Sequence, residues 1–243
     1  MPAEMTARWG EDLPVLWRLL RGKPTRQSAA DALDAFYGPQ AHAYDRFRER
    51  LLSGRRELMH ALPLTSGSRV LDLGGGTGGH WSYVENQIDR LARLDIVDLC
   101  EPLLAVARRR FANRPHVHVQ LADAERFTSP ERFDVVLFSY SLSMMSRWRD
   151  ALSVARGHLA PGGTLAIIDF HTLPATPPDG AVALSGWDRA FWPRWFRHDG
   201  VYLDAEVVPT LLGSFRTTLL VQERSKIPYL AGLRAPWFMW MGT

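Results

Sequence analysis

Short apolar runs alternating with amphipathic stretches predict an α/β fold: a mostly parallel, seven-stranded sheet covered by helices on both faces. Three observations carry that prediction. Residues 68–170 alternate five strand-like runs with helix-like ones. Residues 69–80 read Arg-Val-Leu-Asp-Leu-Gly-Gly-Gly-Thr-Gly-Gly-His, an apolar run that breaks into glycines. The chain has 243 residues, 46% of them hydrophobic, which is room for one α/β domain with additions.

The elements follow in order. Residues 12–60 read as helical. Leu13, Leu16, Trp17 and Leu20 recur at helical spacing; Ala29 to Tyr37 stops at Gly38-Pro39; Ala41 to Leu62 carries Tyr44, Phe47, Leu51 and Leu58 on one face and is closed by Pro63. Strand one is Arg69–Leu73, followed by a helix from about Gly78 to Leu91. Strand two is Leu94–Leu99, with a helix over Glu101–Asn113; strand three is His116–Leu121. Strand four is Phe133–Ser139, with a helix over about Arg147–Leu159, and Pro161-Gly162-Gly163 turns into strand five, Thr164–Phe170. Beyond a Pro/Gly-rich loop, residues 187–199 mix Trp187, Phe191, Trp192, Trp195 and Phe196 with arginines. Residues 204–213 read as a helix capped by Asp204, and Arg216–Arg224 and Trp237–Met241 as two final strands. The chain thus divides into an N-terminal helical cap, 1–66, and a sheet domain, 67–243, with a cap insertion at about 172–203.

The glycine run carries the first chemical signal. Gly74, Gly76 and Gly79 satisfy G-x-G-x-x-G, a turn that lets a ligand lie on bare backbone above free helical N–H groups. Asp72 narrows the ligand. A pyrophosphate favours a site without a nearby anion, whereas a carboxylate just before the first glycine suits a cation. S-adenosyl-L-methionine, with a sulfonium and an ammonium and no phosphate, fits that description. Asp98 ends strand two about 20 residues beyond Gly76, where an acidic side chain accepts from both ribose hydroxyls. Asp123 ends strand three, and Ser139-Tyr140-Ser141 follows strand four, at the strand ends where ligands of open α/β sheets sit.

Val70-Leu71-Asp72-Leu73-Gly74-Gly75-Gly76-Thr77-Gly78 resembles motif I of the class I S-adenosylmethionine-dependent methyltransferases, with their Rossmann-like fold. The resemblance implies cofactor contacts from Asp72, Gly74, Gly75, Gly76, Thr77, Asp98, Leu99, Asp123, Ala124, Ser139 and Tyr37, with Asp123 at the adenine amine. It implies that the N-terminal helices cover the cofactor, so Tyr44 is a catalytic candidate; their positions at the ends of strands four and five make Tyr140 and His171 the other candidates. No histidine pair or cysteine cluster has metal-ligand spacing, Cys100 being the single cysteine.

Over nearly its full length the chain is similar to a narrower family, the bacterial N-methyltransferases of betaine-lipid synthesis, which act on diacylglycerylhomoserine. The matching segments are Phe36-Tyr37-Gly38-Pro39-Gln40, Tyr44-Asp45-Arg46-Phe47-Arg48, Leu52-Ser53-Gly54-Arg55, Phe138 to Met144, Trp195-Phe196-Arg197-His198-Asp199, Ile227 to Leu230 and Pro236 to Gly242. The resemblance implies three successive methylations of one amine. Phosphatidylethanolamine and a quinone precursor are the alternative acceptors. The phospho-base methyltransferases' tyrosine–histidine pair has no histidine counterpart in Ser141 to Met145. An NAD-dependent oxidoreductase would share the glycines and Asp98, but Asp72 argues against it; a lipid-binding subunit would not need the acidic strand ends.

The net charge is +3, and lysine occurs only at Lys23 and Lys226, so the positive charge is mostly arginine. Arginine paired with tryptophan in residues 9–26 and 187–197 suits a lipid headgroup layer rather than nucleic acid. The expected partners are therefore a lipid with a primary or methylated amine headgroup, an anionic membrane surface, and the enzyme making diacylglycerylhomoserine. No apolar run is long enough to span a bilayer and the N-terminus lacks a signal-peptide core, so the expected location is cytoplasmic, peripheral on the inner face of the membrane.

Overall fold

In a computed structural model, residues 51–198, 200–227, 230 and 232–243 are described. The expectations for Tyr37, Tyr44 and the tryptophan–arginine arm at 9–26 lie outside them.

Seven strands form one sheet in the order β3-β2-β1-β4-β5-β7-β6. They are β1 (Arg69–Leu73), β2 (Arg93–Asp98), β3 (Val117–Leu121), β4 (Phe133–Ser139), β5 (Leu159–Phe170), β6 (Thr217–Lys226) and β7 (Arg234–Gly242). Pairs β1–β2, β1–β4, β2–β3 and β4–β5 are parallel. β7 runs antiparallel between β5 and β6. The chain order reverses between β1 and β4, which opens a crevice at their carboxyl ends.

Period-two patterning builds the core on both faces. Val70, Leu94, Ile96, Leu137 and Ile168 point one way, against α1 (Arg55–Ala61), α2 (Glu85–Ile88), α3 (Glu101–Arg110) and α5 (Gly186–His198). Leu71, Leu73, Val136, Phe138 and Ile167 point the other way, against α4 (Trp148–His158) and α6 (Val207–Ser214).

Three elements differ from the sequence reading, each for a local reason. The helix expected over Gly78–Leu91 is a 3₁₀ turn, Gly79–Val84, running into the short α2. Tighter winding lets the adjacent His80 and Trp81 both reach Asp72. The helix expected through Leu62 is interrupted at Gly54, where φ is 78° and a Cβ would stand 2.6 Å from Trp237. Pro161-Gly162-Gly163 lies inside β5 as an irregularity: Phe133 pairs with Leu159, whereas Val135 pairs with Thr164. In α5 only part of the aromatic block is outward. Trp192 and Phe196 are buried, while Trp187 and Trp195 are 51% and 37% exposed.

Candidate active site

The turn after β1 is shaped by what its glycines lack. Gly74 and Gly76 take left-handed φ of 76° and 57°. A Cβ on Gly74 would stand 2.4 Å from Ser141, whose hydroxyl donates to the Leu73 carbonyl at 2.7 Å. That bond stitches the end of β4 to the end of β1. The Gly74 and Gly75 N–H groups both donate to the Val97 carbonyl, fixing the turn against β2. At Gly76 a Cβ would meet only ordinary contacts, with Leu103 and Asp98, so bare backbone faces open space beside Asp98.

Asp98 is locked in place. Its Oδ2 accepts the Gly76 N–H at 2.9 Å and its Oδ1 the Cys100 N–H at 2.9 Å. The carboxylate stays half-exposed, where a ligand hydroxyl can reach it.

Beneath the turn lies a polar chain. Asp72 is fully buried, and its Oδ2 lies 2.9 Å from His80 Nε2 and accepts from Trp81 Nε1 at 2.9 Å. The other His80 nitrogen, Nδ1, lies 3.1 Å from the Arg55 guanidinium, and Arg55 Nε donates to Ser139 Oγ at 3.1 Å. A guanidinium only donates, so Nδ1 accepts and the His80 proton sits on Nε2, pointing at Asp72. One arginine thus ties the end of β4 to the glycine turn. Asp72 Oδ1 is buried with no hydrogen-bond partner, an acceptor left over beneath the turn.

The remaining expected residues divide. Leu99 is half-buried beside Asp98, and Ala124 is buried at the end of β3. Asp123 Oδ1 accepts the Glu125 N–H at 2.9 Å, a turn-forming bond that also fixes the carboxylate at the strand end. Thr77 is buried: its hydroxyl accepts the Gly79 N–H and its carbonyl accepts Arg110. Ser139 is buried with its hydroxyl held by Arg55.

Tyr140 has the one positive φ, 54°, among described non-glycine residues, a strained backbone at the end of β4. Its N–H donates to the Ile168 carbonyl and its hydroxyl to the Ser53 carbonyl at 2.6 Å. Burial, reinforced by the Asp169 charge, pushes the phenol pKa well up, so the hydroxyl stays protonated and cannot serve as a base near neutrality. Its ring meets Phe170 edge-on at 4.9 Å, and Phe170 stacks on Phe196 at 4.4 Å.

His171 is buried just past the end of β5, and neither ring nitrogen has a hydrogen-bond partner. Burial first, then the Arg224 charge, lower its pKa to about 4, opposed by a Thr172 backbone contact that falls short of hydrogen-bond geometry. The ring is therefore neutral near pH 7 and a weak proton acceptor, since a general base works best with a pKa near the operating pH.

Arg55 and His80 were not among the expected site residues. The adjacency of His80 and Trp81 to the glycine turn was a signal for them; the Arg55 contact, made across long sequence separations, left no spacing signal, although Arg55 closes one of the segments that carry the family resemblance.

Residues 70–163 match the family described as a methyltransferase domain. Among curated proteins, the chain is 29% identical over 156 residues to the ubiquinone/menaquinone biosynthesis C-methyltransferase UbiE of Azotobacter vinelandii, covering 60% of this chain and 61% of that one. The chain thus spans about three fifths of that relative's length. Residues 70–163 are thus similar to a methyltransferase domain. Solved structures share the fold. A phosphoethanolamine N-methyltransferase of Haemonchus contortus aligns with TM-score 0.67 at 18% identity, over 90% of this chain and 61% of that one. The N-methyltransferase NodS of Bradyrhizobium japonicum aligns with TM-score 0.55 at 20% identity, over 84% and 98%.

The domain is of the S-adenosylmethionine-dependent class, and the residues present fit that cofactor. The orphaned Asp72 Oδ1, the open backbone at Gly76 and the pre-aimed Asp98 form a donor and acceptor set for a cation and a ribose. Among the described residues no helix is long and apolar enough to cross a membrane.

Proposed function

We propose that the chain is an N-methyltransferase that converts diacylglycerylhomoserine to its trimethylated betaine lipid by three successive transfers at an anionic membrane surface. One observation carries the lipid part. On α5, Trp187 stacks on Phe191 at 4.4 Å and Phe191 on Trp195 at 5.9 Å, an aromatic row four residues apart whose two tryptophans are exposed and whose phenylalanine is half-buried against the core. Arg189, Arg194 and Arg197 accompany it on the same helix. The row lies beyond residue 163, where the methyltransferase match ends, so it belongs to what distinguishes this chain. Aromatic rings beside guanidinium groups suit the headgroup layer.

The cofactor, when bound, supplies an electrophilic methyl group on a sulfonium. The protein's part is placement, an approach of about 3–3.5 Å between nucleophile and methyl. Asp98 would hold the ribose hydroxyls, Asp123 and Leu99 the adenine end, and Asp72 with the Gly74–Gly76 backbone the methionine end. Tyr140, with its hydroxyl committed to Ser53, offers a ring face and a rigid backbone. Phe170 and Phe196 extend that aromatic wall, which favours a methylated ammonium over a hydrated one.

A second reading is supported by the UbiE likeness: a quinone precursor, methylated on carbon. Replacing Trp187 and Trp195 together by alanine separates the two. Under the lipid reading, sedimentation with phosphatidylglycerol vesicles weakens, lipid methylation falls, and S-adenosylmethionine affinity is unchanged. Vesicle binding and lipid methylation that survive the double substitution would remove the support α5 lends.

A further inference from the structure

Behind the cofactor end, on the sheet face covered by α4 and α6, a second polar group gathers that the transfer chemistry above does not use. In the register of the three last strands, Phe238 of β7 lies between Asp169 of β5 and Gln222 of β6. Two rows on toward the carboxyl end of β5, the His171 backbone N–H donates to the Pro236 carbonyl, and Pro236 pairs with Arg224. The alternation that buries Ile167, Leu220 and Phe238 together puts Asp169, His171, Gln222 and Arg224 on that same face.

Two of these four carry buried, unspent hydrogen-bonding groups. His171 meets Phe238 edge-on at 5.5 Å and has no partner on either nitrogen. Gln222 Oε1 accepts the Val182 N–H at 2.7 Å, which fixes the amide orientation, and its buried Nε2 has no partner. The other two are committed: Asp169 accepts from the Ser143 N–H and hydroxyl, and Arg224 pairs with the buried Asp188 of α5. The loop of residues 171–185 covers the group, with Leu173 and Leu184 buried against the same core. Leaving a buried donor unmatched is costly, so two on one face beside one aromatic ring mark a place for a ligand atom.

We propose that His171 and Gln222 bind an sp² oxygen of the methyl acceptor, a carboxylate or ring carbonyl that accepts a hydrogen bond from Gln222 Nε2 and another from the imidazole N–H. The subsite lies at the carboxyl end of β5, next to the strand whose end carries Tyr140, on the rim where ligands of such sheets bind. This rests on the methyl-transfer reading, and it holds for either acceptor: an amino-acid headgroup brings a carboxylate, a quinone precursor a ring carbonyl.

The test uses the full chain labelled with ¹⁵N-histidine and saturated with S-adenosylhomocysteine. Short-chain diacylglycerylhomoserine and 1,4-naphthoquinone are added in separate titrations. The subsite predicts that the His171 ring ¹⁵N resonance moves with one probe. Movement with the lipid supports the amine acceptor. Movement with the quinone alone keeps the subsite and overturns the amine reading. A resonance unmoved by both probes overturns the subsite and leaves a water-filled packing defect. In parallel, Gln222→Met should raise KM for the responding acceptor about tenfold, the worth of one hydrogen bond, with kcat and S-adenosylmethionine affinity little changed. An unchanged KM in a variant that melts like the native chain would equally overturn it.

Discussion

His171 converts a buried geometry into a measurable pH dependence. The perturbation is acid. In the folded chain burial and the Arg224 charge hold the imidazole pKa at about 4, against an ordinary value of 6.5 in the unfolded chain. Between those values the unfolded state binds the extra proton, so stability is complete above pH 6.5 and is lost as pH falls toward 4. Each pH unit of that window is worth about 1.4 kcal/mol, giving about 3 kcal/mol in all and about 2.5 kcal/mol between pH 7 and 4.5. The charged neighbours are Arg224 of β6 with its partner Asp188 of α5, and Asp169 two residues back on β5. Against the cost of burial, hydrogen bonds from Ser185 and Arg224 hold the Asp188 carboxyl below its ordinary value. His171→Leu removes the titrating group and keeps an apolar filling. Thermal melts of native chain and variant at pH 7 and 4.5 form the assay. The native chain should lose roughly 5–10 °C more than the variant across that interval, at about 2–4 °C per kcal/mol for a chain of this size. Equal losses would mean that His171 is hydrated or partnered in solution, and the reasoning from its burial would fail.

Three further outcomes follow from the same contacts. Asp98→Ala should weaken S-adenosylmethionine binding by about 1.5–3 kcal/mol, the usual worth of hydrogen bonds to a charged group, as read by calorimetry; unchanged affinity would detach this turn from the cofactor. Arg55→Met leaves the His80 and Ser139 acceptors without their donor and should cost about 1–3 kcal/mol of stability together with cofactor affinity, whereas an unshifted melt would show that the polar chain holds nothing. Tyr140→Phe keeps the ring and loses only the bond to Ser53, so turnover should stay within about threefold while stability drops by about 1 kcal/mol; a loss near a hundredfold would make the hydroxyl a catalytic group.

The parts of the fold governed by short-range pattern were legible in the sequence. β1 and β4 fall at the residues read for them, because their apolar runs end in glycines and in Ser139-Tyr140. Asp98 at its strand end was legible because β2 is bounded by the same pattern. What escaped depended on contacts between distant segments. The Gly78–Leu91 helix reading failed because Asp72, a strand residue, pulls His80 and Trp81 into tighter winding. β5 begins five residues early because Leu159 pairs with Phe133 before the Gly162 irregularity. Tyr140 and His171 were named from position alone; their surroundings, a committed phenol and an unpartnered imidazole, come from β5 and β7 packing that no local pattern encodes. Trp192 and Trp195, three residues apart, looked equivalent until packing on Phe196 and its neighbours turned Trp192 inward.

The central claim is that this chain moves methyl groups from S-adenosylmethionine to the amine of a lipid headgroup. Its most direct test supplies the purified chain with methyl-labelled S-adenosylmethionine and anionic vesicles carrying both diacylglycerylhomoserine and a demethylated quinol. Mass spectrometry of the extracted lipids then reports where the label went. Mono-, di- and trimethylated headgroup lipid should appear, the trimethylated form accumulating last, with the quinol untouched. Label on the quinol ring and none on the lipid amine would contradict it.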